Sequence, residues 1–236
     1  MKKYLLILAV MVVGLTVLAQ PHHNAWLRAT GSVPLAEGWK ADAELQHRRQ
    51  SGWGNTRPCH EPLLSSLRLW VHYTPNSPNP TWQLSASPGA YYRLYKLITS
   101  AEDANKVPMQ EFRVSAAIAR QDLLARALFL TNRTALEYRF FDQLLPVLRL
   151  RQRLGVRYDH AAVSVAVYNE LLTNPMGVPT GHFFDHNRLG GGVQWRVERH
   201  LEVEAGYLYI HRLPLTNLEM LRERNFFLNL TYRFVR

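Results

Sequence analysis

Beyond residue 19 no stretch of the chain is continuously apolar over the ~20 residues that a membrane helix needs, yet segment after segment alternates apolar and polar residues one for one. The clearest is residues 225–234. Phe226, Leu228, Leu230, Tyr232 and Phe234 fall on one side, while Phe227, Asn229, Thr231 and Arg233 fall on the other. A period of two is that of an extended strand, with one face suited to hydrocarbon and the other to water. Tyr232 and Phe234, close to the C-terminus, fit the aromatic signal by which outer-membrane barrels are recognised and inserted, although Val235 and Arg236 follow.

Further segments of this kind precede it, at residues 26–33, 39–49, 63–73, 82–94, 109–118, 130–140, 147–158, 163–171, 185–197 and 201–210. Ser87-Pro88-Gly89 interrupts one of them and predicts a bulge or an outright break. Residues 121–126 are expected to turn the chain back. That makes eleven segments, whereas single-chain bacterial barrels have an even number of strands. About twelve strands are therefore expected, with about ten as the alternative.

The chain opens Met1-Lys2-Lys3, runs uncharged from Tyr4 to Leu18 and reaches Val17-Leu18-Ala19 before Gln20. This reads as a secretory signal peptide over residues 1–19 rather than an anchor, leaving 20–236 as a single barrel domain. Cys59 stands alone, so it reads as a loop thiol without an internal disulfide partner. Five of the 28 basic residues are Lys and the rest Arg, within a net charge of +10. Arginine forks pair carboxylates where lysines would serve as solubilising charge, so these side chains are expected to have fixed partners.

The arginines fall on the polar face of their strands. They include Arg28, Arg48, Arg68, Arg93, Arg113, Arg133, Arg139, Arg149, Arg151, Arg153, Arg157, Arg188, Arg196 and Arg233. The same faces carry Asp42, Glu44, Glu111, Glu137, Glu170, Glu202 and Glu204. In a soluble sandwich the apolar face would be the core, and in a membrane barrel the same alternation is turned inside out. Strands of about 10 residues favour the barrel. So do aromatic residues near strand ends (Tyr73, Phe140, Phe141, Tyr158, Phe234) and long connections at 50–62, 97–108, 172–186 and 212–224 that alternate with short turns. The expected place is the outer membrane of a Gram-negative cell, with lipid and the barrel assembly machinery as partners and a monomer as the default state. A charge ladder in a narrow barrel reads either as a plug or as an anion-preferring passage.

Several segments resemble an outer-membrane barrel family catalogued as domain of unknown function 2490. They are Trp26, the strand from Glu44 to Arg48, Glu111-Phe112-Arg113, the strand from Arg133 to Phe140, Tyr168-Asn169-Glu170, Phe184-Asp185-His186-Asn187-Arg188 with Leu189-Gly190, and Gly206-Tyr207. The resemblance implies location and fold but no activity.

Catalytic and metal chemistry are thinly signalled. His72 near Ser66, or His186 near Asn187, supplies parts that a lipid hydrolase would need, without a nucleophile context. His182, Asp185 and His186, or His22-His23, could approach a metal, but loop spacing of this kind reads better as solvation or hydrogen bonding, and neither a metal nor a cofactor is expected. Asp185, Asn187 and Arg188 are expected to fix the 172–186 loop to the wall. Gly190-Gly191-Gly192 lacks a following helix, so it reads as a place of close packing rather than a phosphate loop. Arginines spread one or a few to a strand do not make the external basic face of a nucleic-acid binder.

Overall fold

A computed structural model describes residues 22–55, 57–76, 81–215 and 219–234. The signal peptide read over residues 1–19 lies outside the described residues. Eleven strands are found there: β1 (His22–Ala36), β2 (Trp39–Gln50), β3 (Glu61–Tyr73), β4 (Thr81–Leu94), β5 (Met109–Ala125), β6 (Leu128–Phe141), β7 (Val147–His160), β8 (Val163–Met176), β9 (Phe184–Arg196), β10 (Leu201–Arg212) and β11 (Leu221–Arg233). Each pairs antiparallel with its sequence neighbours, and β1 pairs with β11 to close a barrel.

The expectation of twelve strands is corrected to eleven among the described residues. Ser87-Pro88-Gly89 does not divide a strand. It forms a bulge at which the β4–β5 register shifts between Ser87 and Ala90, and Pro88, which has no N–H to give the ladder, sits exposed there. Eleven strands are joined by ten antiparallel steps, an even number, so the last strand must run in the same direction as the first. The closing seam is accordingly parallel, in register from His22↔Glu223 to Ser32↔Arg233. His22 therefore lies at one end of the barrel and Phe234 at the other.

The bulge also reverses which residues face inward. Ser85 and Ser87 are buried before it and Ala90 and Tyr92 after it, so Tyr91 and Arg93 turn outward. Arg93 thus leaves the inner face on which strict alternation places it. Residues 121–125 do not turn the chain back but prolong β5, and the turn falls at Arg126–Ala127, where Ala127 takes φ 64°. Similarly, β8 runs on to Met176 past a register shift at Leu172/Thr173, which shortens the expected 172–186 loop to residues 177–183.

The outer wall is apolar. Leu45, Leu67, Leu69, Val114, Leu136, Leu154, Val167, Val193 and Leu228 are all exposed there. Aromatic pairs border this band at both ends, with Trp39–Tyr73 (ring centroids 4.8 Å apart) and Tyr232–Phe234 (4.9 Å) at one and Tyr138–Phe140 (4.7 Å) at the other. Phe141 instead faces inward beneath Arg139.

Inside, the small side chains gather at one end of β5 and β8. Toward the short turns the inward positions include Ala117, Ala119, Ser164 and Ala166, all half-buried. Toward the connections at 51–60, 95–108, 142–146, 177–183 and 213–220 they are large and almost fully buried, including Glu111, Glu137, Glu170, His186, Ile210 and Glu223. An apolar cluster of Trp26, Leu208, Ile210 and Phe227, with Tyr168 against it, fills part of the lumen. Gly190 and Gly206 make room for it. A Cβ on Gly206 would meet the Phe227 ring and the Gly191 carbonyl, and one on Gly190 would meet Leu208 and Tyr168.

The 95–108 connection is pinned over the barrel end by Gln50, whose amide donates to the carbonyls of Pro62 (2.9 Å) and Lys96 (2.8 Å) and accepts from the Ile98 N–H (3.0 Å). Its 3₁₀ turn at Ala101–Asn105 is held by buried Asp103, which accepts from the Thr99 hydroxyl, the Thr99 and Ser100 N–H groups, and Lys106. Burial pushes this carboxyl up, but the Lys106 ammonium and the Thr99 and Ser100 donors outweigh it and hold the group below the usual carboxylate range. A lowered carboxyl contributes stability that is complete above the ordinary value of about 3.9 and lost as pH falls through the lowered one. Hydrogen exchange at the Thr99 and Ser100 amides should therefore stay slow from neutral pH down to about pH 4 and quicken only below it, and Asp103→Asn should remove that acid transition.

Candidate functional site

Five consecutive strands, β5 to β9, bring charged side chains together at the centre of the barrel. Cross-strand register alone would be unfavourable, because Arg113 lies directly opposite Arg139 and Arg133 directly opposite Arg153. Carboxylates on the diagonals resolve the first conflict. Glu111 takes Arg139 through both oxygens (2.9 and 3.0 Å) and Arg113 at 2.7 Å. Glu137 accepts from Arg113 (3.2 Å), Arg151 (2.6 Å) and Arg149, its direct cross-strand partner.

Glu170 continues the chain of contacts, receiving Arg151 (2.7 Å), Arg153 (3.3 Å) and Arg188 (3.0 Å). The register shift at Leu172/Thr173 explains the next link. It pairs Leu172 with His186 and Thr173 with Phe184, leaving Asp185 between them. Asp185 is buried and reaches Arg149 at 3.0 Å, while His186, also buried, pairs with Asp185 at 3.1 Å. Within the Phe184–Arg188 stretch, Asn187 bonds Asn169 on the neighbouring strand. These residues belong to β9 itself, so they tie strand to strand rather than a loop to the wall.

Aromatic planes occupy the space between guanidinium groups. Arg48 stacks on Trp26 with 3.5 Å from its central carbon to the ring centroid, Arg113 on Tyr92 at 4.1 Å and Arg153 on Tyr168 at 4.4 Å. Arg133 lies 5.6 Å over Trp70 and has no carboxylate within ion-pairing distance among the described residues. The remaining expected ladder members sit nearer the short turns. Arg157 pairs with Asp159 (2.9 Å), Arg196 (3.6 Å) and Arg233 (2.9 Å) share Glu202, and Glu204 accepts from Asn229 with Arg28 at 3.9 Å.

A second cluster was not visible in the sequence. Lys40, His72 and Ser85 lie in line across β2, β3 and β4. His72 Nδ1 is 2.8 Å from Ser85 Oγ, and its Nε2 is 3.1 Å from Asp42, which also accepts from Ser32 (2.6 Å) and Lys40 (3.0 Å). His72 therefore partners Ser85 and not Ser66. Only the ladder register, which local spacing does not encode, brings these residues together. No three His, Cys, Asp or Glu side chains converge as a metal site among the described residues. Cys59 is exposed in the 51–60 connection.

Between the network and the Trp26 cluster lies a cavity of about 200 Å³, lined by Arg28, Arg48, Arg153, Tyr168, Arg188 and Phe227 among others.

Fold and interior together define a closed antiparallel barrel with one parallel seam and an arginine-and-carboxylate lumen. The fold is similar to that of a solved structure, the NanC porin in a rhombohedral crystal form, with a TM-score of 0.56 at 10% identity over 90% of this chain and 99% of that one. The chain belongs to the family described as protein of unknown function DUF2490, whose model matches residues 23–216. No curated protein matches the sequence.

Because Glu137 compensates three buried guanidinium groups, Glu137→Leu should lower stability by several kcal/mol, on the order of 3–5 for a broken buried pair. Replacing Arg149 and Arg151 by Leu as well should recover much of that loss, since the uncompensated charges leave with it. Urea midpoints of the chain refolded in detergent would check both.

Proposed function

We propose that the protein is an outer-membrane β-barrel that admits small anions from its short-turn mouth and restricts their further passage at the arginine network beneath the long connections. The apolar outer band with aromatic borders supports the membrane setting, because soluble monomers rarely expose contiguous apolar patches beyond a few hundred Å². The likeness to a porin in fold supports the same setting. The observation that carries the function is the interior charge. Small inward residues on β5 and β8 leave room toward the short turns, whereas Glu111, Glu137 and Glu170, each about 1% exposed or less, fill the other half together with their arginines. Arginine exceeds carboxylate along this path, which favours anions over cations.

In planar bilayers the refolded residues 20–236 should give small steps with anion-selective reversal potentials. Arg151→Glu should lower that selectivity several-fold, and removing Glu137, Arg149 and Arg151 together should raise the conductance. Cation-selective steps, or a triple variant no more conductive than the parent, would contradict the proposal.

The Asp42–His72–Ser85 arrangement favours a second reading, a hydrolase. Ser85 Oγ could attack an ester carbonyl and pass its proton to His72 Nδ1, with Asp42 steadying the imidazolium. His72 would return that proton to the leaving alcohol, and water would then release the acyl group. Because Ser85 faces the lumen, its substrate would be a small soluble ester rather than a bilayer lipid. A fluorophosphonate probe should label Ser85 in the refolded barrel and fail to label His72→Gln; an unlabelled wild type would dispose of this reading.

A further inference from the structure

Ten arginines line the central cavity against three glutamates. Four more carboxylates stand just behind that wall, but each is engaged: Glu44 with Arg68, Glu137 with three arginines, Asp185 with Arg149 and Glu223 with Arg212 at 2.6 Å. Nine of the ten arginines reach a carboxylate, and the exception stands beside Trp26. There Arg48 has no carboxylate within ion-pairing distance among the described residues, and one of its Nη atoms donates to the Gln46 amide at 3.1 Å. Its guanidinium stacks on Trp26, and Arg188 lies 5.8 Å from the same ring system.

The buried Nε–H groups of Arg28, Arg48, Arg153 and Arg188 have no protein acceptor, although these four residues all line the cavity. Buried donors without acceptors are few in folded proteins, and buried like charges without counter-charge are costly. A counter-anion in the cavity answers the second. Arginine forks are shaped for planar or tetrahedral oxyanions, and a cavity of about 200 Å³ admits a small one.

We infer that the cavity beside Trp26 is a binding site for a small, multiply charged oxyanion, a phosphate or a compact dicarboxylate, held by Arg48 and Arg188. This rests on the reading of the lumen as open to anions from the short-turn mouth and adds a point at which they stop. Neutral solutes of the same size gain nothing there, because the donors are already charged and the cavity offers few unshared acceptors. Chloride satisfies the charge but spans fewer donors than an oxyanion does.

The test is titration calorimetry on refolded residues 20–236 in neutral detergent at low ionic strength, with inorganic phosphate, succinate, chloride and glucose in separate arms. Saturable one-to-one binding of phosphate or succinate is expected, at least tenfold tighter than chloride and absent for glucose. The stronger of the two oxyanion arms identifies the ligand chemistry. Arg48→Gln and Arg188→Gln should each weaken binding at least tenfold, whereas Arg120→Gln, on the exposed outer surface, should leave it unchanged. Should Arg48→Gln fail to refold, Arg48→Lys keeps the charge without the fork and should weaken binding by a smaller factor. No saturable heat from a folded barrel, or binding unaltered in every cavity variant that folds, would overturn the site. Phosphate binding without conductance would retain the site and remove the passage; anion-selective conductance without saturable binding would do the reverse.

Discussion

Glu137 and Glu170 each hold three arginines inside the barrel, and the rest of the interior depends on that sharing. A guanidinium buried beside others of its kind would be driven out into water, carrying its strand with it, unless a carboxylate stood within reach. The contacts also fix register. Sliding one strand by a single residue would turn Glu137 to the apolar exterior and leave Arg113, Arg149 and Arg151 facing one another. The outer wall cannot supply such discrimination, since one Leu or Val against hydrocarbon is much like the next. Specificity of strand pairing therefore comes from the polar side and embedding from the apolar side.

Alternation made most of the fold legible, because in a strand the orientation of one residue dictates that of the next. The faces of β2, β5, β6, β7 and β11 follow directly from their sequences, including the inward Arg149, Arg151 and Arg153. The reading fails where a bulge inserts one residue and reverses the parity. Arg93 is turned outward this way, and the Leu172/Thr173 shift brings Asp185 inward beside His186, two neighbours that strict alternation would place on opposite faces. Strand number illustrates a different limit. The local pattern holds eleven segments, and twelve follows only from a rule about how barrels usually close. Closure is a property of the seam between β1 and β11, and parallel pairing there accommodates an odd count.

The interior sites were harder to read because their contacts run across the ladder. Asp42, His72 and Ser85 come from three strands, and no spacing along the chain distinguishes Ser85 from Ser66 as the neighbour of His72. The aromatic platforms carry a weak signal in hindsight. Trp26, Trp70 and Tyr168 share inward parity with Arg28, Arg68 and Glu170, and a bulky ring on the polar face of a barrel strand is unexplained until a guanidinium is found lying on it.

Size grading along β5 and β8 links the network to the vacant charge. With the strand number fixed, the free cross-section at each level depends on the inward side chains, so Ala and Ser on β5 and β8 toward the short turns leave room that arginines and glutamates of the same sector remove farther up. Going round the barrel from β5 to β9, shared carboxylates reach every inward arginine but Arg133 among the described residues; from β10 through β1 to β2 the inward positions include Leu208, Ile210, Phe227 and Trp26. Arg48 meets that apolar sector and stacks on an aromatic ring in place of an acid. Stacking desolvates a cation without neutralising it. The guanidinium that meets a ring in place of an acid is thus the point of the cavity wall where an incoming anion gains most.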